Sequence, residues 1–115
     1  MAGKNKEIGL AIIGCGTIGR IRGMLAKEFP GIGWIGLCDI REELGQKLAQ
    51  DVGADFFTTD YNELIARPEV SATIIATDEN VHFGPTMAAI EQGHDLFIEK
   101  PLATEANESL DILNA

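Results

Sequence analysis

One stretch, Gly14-Cys15-Gly16-Thr17-Ile18-Gly19, constrains this chain more than any other. The apolar run Ile8 to Ile13 leads straight into it, and an amphipathic helix pattern leads straight out. Strand, glycine turn and helix start is the order in which folded chains present main-chain N–H groups to a phosphate. Each glycine has its own task. Gly14 permits the tight turn, Gly16 lets backbone approach a pyrophosphate, and Gly19 lets the helix pack close. Thr17 and Ile18 open the helix, whose positive dipole end favours an anion. A lone glycine pattern is weak evidence, since ordinary turns also use it. Here Asp39 closes the next strand pattern about 20 residues beyond Gly19, the spacing at which an acid reaches a ribose hydroxyl in dinucleotide-binding folds. Gly14, Gly16, Thr17, Ile18, Gly19 and Asp39 are therefore candidate cofactor-binding residues.

The rest of the chain repeats the same alternation. Ile18, Ile21, Leu25 and Phe29 recur at helical spacing and predict a helix from about Thr17 to Phe29, ended by Pro30-Gly31. Gly33 to Asp39 reads as the second strand. The helix after it carries Leu44, Leu48 and Val52 and stops near Gly53. Ala54 to Phe57 is expected as a third, outer strand. Asp60 can cap a short helix with Glu63 three residues on, and that helix ends before Pro68. Ser71 to Ala76 is a β-branched fourth strand ending at Thr77. A helix from Phe83 to Gln92 tolerates Pro85 only in its first turn and finishes at Gly93. Leu96-Phe97-Ile98 is the fifth strand, and Thr104 can cap a last helix.

Alternating strands and helices with no repeat predict an α/β, Rossmann-type doubly wound parallel sheet, strand order 3-2-1-4-5, with helices on both faces. Such sheets bind ligands outside the carboxyl ends of the strands, where the strand order reverses. Gly14, Asp39, Thr77 and Lys100 all fall at those ends. At 115 residues the chain is expected to be one domain able to bury a core without staples. The net charge of −9 disfavours nucleic acid and anionic membranes as partners, while a dinucleotide pocket can keep a local positive field. Cys15 and Cys38 are too few and too far apart for a disulfide framework or zinc motif, and no metal is expected. Met1 to Glu7 is short and polar with no apolar signal core, so the chain is read as cytoplasmic.

With these residues in place, the chain resembles the nucleotide-binding half of the Gfo/Idh/MocA family of oxidoreductases, which includes glucose-fructose oxidoreductase and inositol dehydrogenase. The resemblance rests on Gly14 to Gly19, on Asp39, on Ala76-Thr77 to His82, on Glu91-Gln92-Gly93-His94, and on Glu99-Lys100-Pro101-Leu102-Ala103. It implies that Lys100 lies near nicotinamide and substrate in a catalytic or substrate-orienting role, with Glu99 beside it. His82 matches a histidine near the cofactor; capping of a helix start is its other reading. Where the family often has Thr-Pro-Asn, this chain has Thr77-Asp78-Glu79. Contacts of that asparagine do not transfer. The resemblance further implies a second domain, supplying substrate pocket and oligomer surface, that these 115 residues do not contain, so a truncated protein is expected.

The cofactor expected is NAD, because a carboxylate accepts ribose hydroxyls and repels a 2′-phosphate. Arg41 leaves NADP open: it can turn toward a phosphate, or simply be a solvated residue of the helix start. The functional expectation is hydride transfer between NAD(P) and a secondary alcohol of a sugar, cyclitol or similar small molecule, the 115 residues binding cofactor without full activity. A non-catalytic NAD(H)-sensing or interaction module is the alternative, in which cofactor changes dimerisation. A methyltransferase would share the glycine loop and acid but not Glu99-Lys100-Pro101.

Overall fold

The computed structural model describes residues 8–77 and 83–98. Five parallel strands form one sheet: β1 (Ile8–Ile13), β2 (Ile32–Cys38), β3 (Phe56–Thr58), β4 (Ala72–Ile75) and β5 (Asp95–Ile98). Their order is β3-β2-β1-β4-β5, as expected from the alternation. The connecting helices are α1 (Thr17–Lys27), α2 (Glu42–Val52), α3 (Tyr61–Ile65) and α4 (Phe83–Glu91).

Strand β1 is central, and its side chains alternate between two cores. Leu10 and Ile12 join Ala26, Ile35, Leu37, Leu48 and Val52 under α1 and α2. Ala11 and Ile13 join Leu64, Ile65, Val70, Ile75 and Ala89 under α3 and α4. The two-residue period of a strand divides one apolar run between two layers. Ile12, Leu37, Leu48, Leu64 and Ile75 are all fully buried, and each such side chain contributes about 1.5–3 kcal/mol relative to exposure.

Register aligns the carboxyl ends. Ile13 pairs with Cys38 on one side and Ile75 on the other, and Cys38 pairs with Thr58. The chain leaves the sheet at one level. Gly14 N–H then donates to the Cys38 carbonyl at 2.7 Å, and Ala76 N–H to the Ile13 carbonyl at 2.8 Å. Gly14, Asp39 and Thr77 consequently meet at the switch between β1 and β4.

Helix α1 departs from its sequence pattern. It ends at Lys27, and it is buried through Gly19, Gly23 and Ala26, while Ile21, Leu25 and Phe29 are exposed. Close approach decided the face: a Cβ on Gly23 would lie 3.4 Å from Val52 Cγ1, so the helix meets α2 through its smallest residues. Leu44 is likewise exposed on α2, whereas Leu48 and Val52 are buried. Strand β3 starts later than expected because Ala54 N–H closes the end of α2 on the Ala49 carbonyl and Asp55 N–H donates to Ile35.

Asp60 caps α3 through Asn62 N–H at 2.9 Å. Glu63 does not reach back to Asp60. Instead Asp60 N–H donates to Thr58 Oγ1, whose hydroxyl donates to the Glu63 carboxylate, so Thr58 relays the cap. Pro85 is the third residue of α4, where no N–H is required. Trp34 packs in the sheet, stacked on Phe56 at 6.2 Å between ring centroids, with the Arg67 guanidinium over both rings. The expected last helix capped by Thr104 lies outside the described residues. No helix among the described residues is long and apolar enough to cross a membrane.

Candidate functional site

The turn from β1 into α1 is built on Gly14, whose φ of +102° lies where only glycine is comfortable. A side chain there would also meet Ala76, its Cβ 2.7 Å from the carbonyl oxygen. Gly19 is buried directly behind the turn, and a Cβ on it would lie 2.8 Å from the Gly14 carbonyl carbon. Gly16 differs. It is the N-cap of α1 in extended backbone, and a Cβ there would find only Arg41 Nη2, at 3.6 Å. No side chain caps α1, and its first turn carries no acid, so the positive end of the helix faces an approach free of its own anions. Thr17 is exposed and Ile18 half-buried on that first turn.

Asp39 follows β2 and is buried, its side chain 3% exposed. Its carboxylate joins the loop after β1 to the loop after β2. Cys15 N–H donates to Oδ2 at 2.7 Å, and Arg41 N–H donates to Oδ1 at 2.8 Å. The Arg41 side chain adds two more bonds, Nε to Oδ1 at 3.0 Å and Nη2 to Oδ2 at 2.9 Å. Burial pushes this carboxyl up, but the Arg41 guanidinium and the two main-chain N–H groups outweigh it and hold Asp39 below the usual carboxylate range. It is ionised at neutral pH. Cys15, whose residue type attracts no chemistry here, serves through its main chain.

A cavity of about 360 Å³ opens beside this carboxylate, lined by Ile13, Gly14, Cys38, Asp39, Ile40, Arg41, Tyr61, Thr77 and Pro85. That volume falls within the range of small-molecule sites, about 300–1,000 Å³. The walls are largely apolar and include one buried acid, which suits a flat heterocycle carried on a ribose. Gly14, Asp39, Arg41 and Thr77 are thus brought to one pocket, with Gly16 under Arg41. Glu99, Lys100 and His82 lie outside the described residues. Five lining residues, Ile13, Cys38, Ile40, Tyr61 and Pro85, were not anticipated as site residues from the sequence. Ile40 is 84% exposed immediately after Asp39, an apolar side chain left on a polar loop, and that oddity is a readable signal. Tyr61 and Pro85 arrive from α3 and α4 by the crossover of the chain and carry no local signal. Among the described residues no group of three or more His, Cys, Asp or Glu could hold a metal.

The residues present fit a dinucleotide: a glycine turn open at Gly16, an uncapped helix end, and a buried acid in the wall of a largely apolar cavity. Comparison with known proteins agrees. The model of an oxidoreductase family described as an NAD-binding Rossmann fold matches residues 8–115. The 2,7-anhydro-N-acetylneuraminate hydratase of Mediterraneibacter gnavus is 37% identical over 98 residues, covering 85% of this chain and 25% of that protein. The inositol 2-dehydrogenase of Gluconacetobacter diazotrophicus is 33% identical over 111 residues, covering 94% of this chain and 33% of the relative. Among solved structures, GenD2 from gentamicin A biosynthesis in complex with NAD superposes with a TM-score of 0.81 at 25% identity, over 93% of this chain and 30% of that one. The chain therefore spans a third or less of the length of these relatives. By the match over residues 8–115, together with the sheet order and the glycine turn, the chain belongs to the Gfo/Idh/MocA oxidoreductase family and carries its NAD-binding Rossmann fold.

Proposed function

We propose that this chain is the cofactor-binding part of an NAD(P)-dependent oxidoreductase acting on a secondary alcohol of a sugar, cyclitol or similar small molecule. The observation that carries the reading is the meeting of the Gly14 turn and the buried Asp39 carboxylate at one cavity, with Gly16 next to Arg41 at its edge. The main chain at Gly16, Thr17 and Ile18 holds the pyrophosphate at the head of α1. Gly14 and Gly19 shape that turn. The cavity takes adenosine, with Asp39 receiving the ribose hydroxyls and Thr77 on the β4 wall. NAD is preferred, since a buried carboxylate opposes a 2′-phosphate.

When bound, the nicotinamide ring supplies the hydride acceptor or donor. Lys100, by its match to the family motif, hydrogen-bonds the substrate hydroxyl and takes its proton as hydride leaves; Glu99 and His82 border the cofactor on the same grounds. The cyclitol class draws support from the relative named for inositol, although the relative named as a hydratase shows that other substrates attend this fold. Substrate specificity and oligomer contacts belong to protein beyond these 115 residues, which alone bind cofactor with little turnover. Calorimetric titration with NADH and, separately, NADPH tests the reading. Tighter NADH binding is expected, and the absence of heat with either nucleotide would overturn it.

A further inference from the structure

An ionised carboxylate has about four lone-pair positions. All four on Asp39 are engaged, two donors to each oxygen. The four donors are unequal. Cys15 N–H and Arg41 N–H belong to the main chain, and the glycine turn and the start of α2 fix them in place. The other two belong to the Arg41 side chain, 60% exposed over a carboxylate that is 3% exposed. Two ribose hydroxyls arriving at Asp39 would find no vacant lone pair. They would need the two positions that this side chain holds.

We propose that the Arg41 guanidinium is a latch that occupies the positions of the ribose O2′ and O3′ hydroxyls and yields Asp39 when the cofactor binds, making Arg41 a specificity-determining residue. The proposal rests on the dinucleotide reading of the site and deepens it. The exchange is isosteric in its hydrogen bonds: two N–H donors leave, two O–H donors arrive, and the buried carboxylate is never left unpaired. Side-chain rotation suffices, because Arg41 N–H remains on Oδ1 and α2 need not move. While it holds Asp39 the guanidinium already lies beside the glycine turn, its Nη2 3.6 Å from the Cβ position of Gly16, so its release begins next to the nucleotide loop. A 2′-phosphate, which brings acceptors where the O2′ hydroxyl brings a donor, would meet repulsion from Asp39 and a planar bidentate partner in the freed Arg41. Arg41 therefore sets how much NADP this site admits, against the preference of Asp39 for NAD.

Two readouts on the ¹⁵N-labelled chain test this. The Arg41 Nε–H resonance, assigned by its loss in Arg41→Ala, should be present without nucleotide and should shift on saturation with NADH. By calorimetry, the ratio of NADPH to NADH dissociation constants should rise at least tenfold in Arg41→Ala and fall below the wild-type ratio in Asp39→Asn. An Arg41 Nε–H signal that is unobservable before addition or unmoved at saturation overturns the latch, as does an unchanged ratio in Arg41→Ala. If NADH gives neither heat nor shifts of the Cys15 and Gly16 amides, the dinucleotide reading itself fails.

Discussion

Two glycines of one motif should fail in opposite ways when each gains a methyl group. At Gly19 the added Cβ lies 2.8 Å from the Gly14 carbonyl carbon and closer still to its oxygen. Carbon atoms prefer a separation of about 3.5–4.0 Å, so α1 must retreat by roughly 0.7 Å or more from the turn it packs on. Overpacking of this kind costs about 1–3 kcal/mol, offset by roughly 0.5–1 kcal/mol because alanine suits a helix better than glycine. A net loss of about 1 kcal/mol, or roughly 4 °C in Tm, is expected for Gly19→Ala. At Gly16 the same methyl group meets only Arg41 Nη2, at an ordinary 3.6 Å, and the N-cap φ of −76° suits any residue. Replacing a glycine N-cap by alanine should cost less than about 1 kcal/mol. The methyl would instead stand where the pyrophosphate approaches, and NADH affinity should drop at least tenfold, about 1.4 kcal/mol. Thermal denaturation followed by circular dichroism, with NADH titration of each variant, separates the two effects. A Gly19→Ala protein with unchanged Tm, or a Gly16→Ala protein that binds NADH like wild type, would refute the division of labour.

Burial raises both the Cys15 and Cys38 thiols to about 12, with the Asp39 charge adding to it, so neither should react with a disulfide reagent at pH 8 until urea unfolds the chain; rapid labelling of the native protein would contradict this. Burial also lowers the His94 imidazole, whose Nδ1 lies 2.9 Å from the buried Thr73 Oγ1. Because the unfolded chain then takes up the proton first, near pH 6.5, stability is whole above that pH and declines as pH falls from there toward the folded value. His94→Gln should flatten that part of a plot of urea-derived stability against pH, and an equal slope in both proteins would assign the loss to another group.

Strand order and the site edge were legible in the sequence because they depend on local signals in sequence: apolar runs, glycine turns, and an acid at a strand end. Faces were harder. The three- and four-residue spacing of Ile18, Ile21, Leu25 and Phe29 marks a helix correctly but not its buried side, since α1 packs through Gly19, Gly23 and Ala26. Periodicity weighs side chains by hydrophobicity, whereas close helix packing selects them by size. The capping of α3 shows a second limit, because the role assigned to Glu63 passes through Thr58, a residue of the preceding strand. Tyr61 reaches the cavity through the crossover from β3 to β4 and Pro85 through that from β4 to β5, and no spacing in the chain announces either. The saturation of Asp39 by Arg41 is a matter of side-chain rotamer, which lies below the resolution of any motif.

The bond from Gly14 N–H to the Cys38 carbonyl has a bearing on how the chain finds its fold. Strand β1 is apolar on both sides, so sliding it by one residue against β2 would swap the contents of the two cores without exposing them to water, and the hydrophobic effect would oppose the error only weakly. Gly14 is different: it alone at the end of β1 takes positive φ, and it must arrive opposite Cys38 for the turn to close. The residue that shapes the nucleotide loop thereby indexes the whole sheet. Mutational drift at Gly14 would scramble strand alignment before it altered ligand recognition, whereas Gly16 is free to be lost wherever recognition is no longer needed.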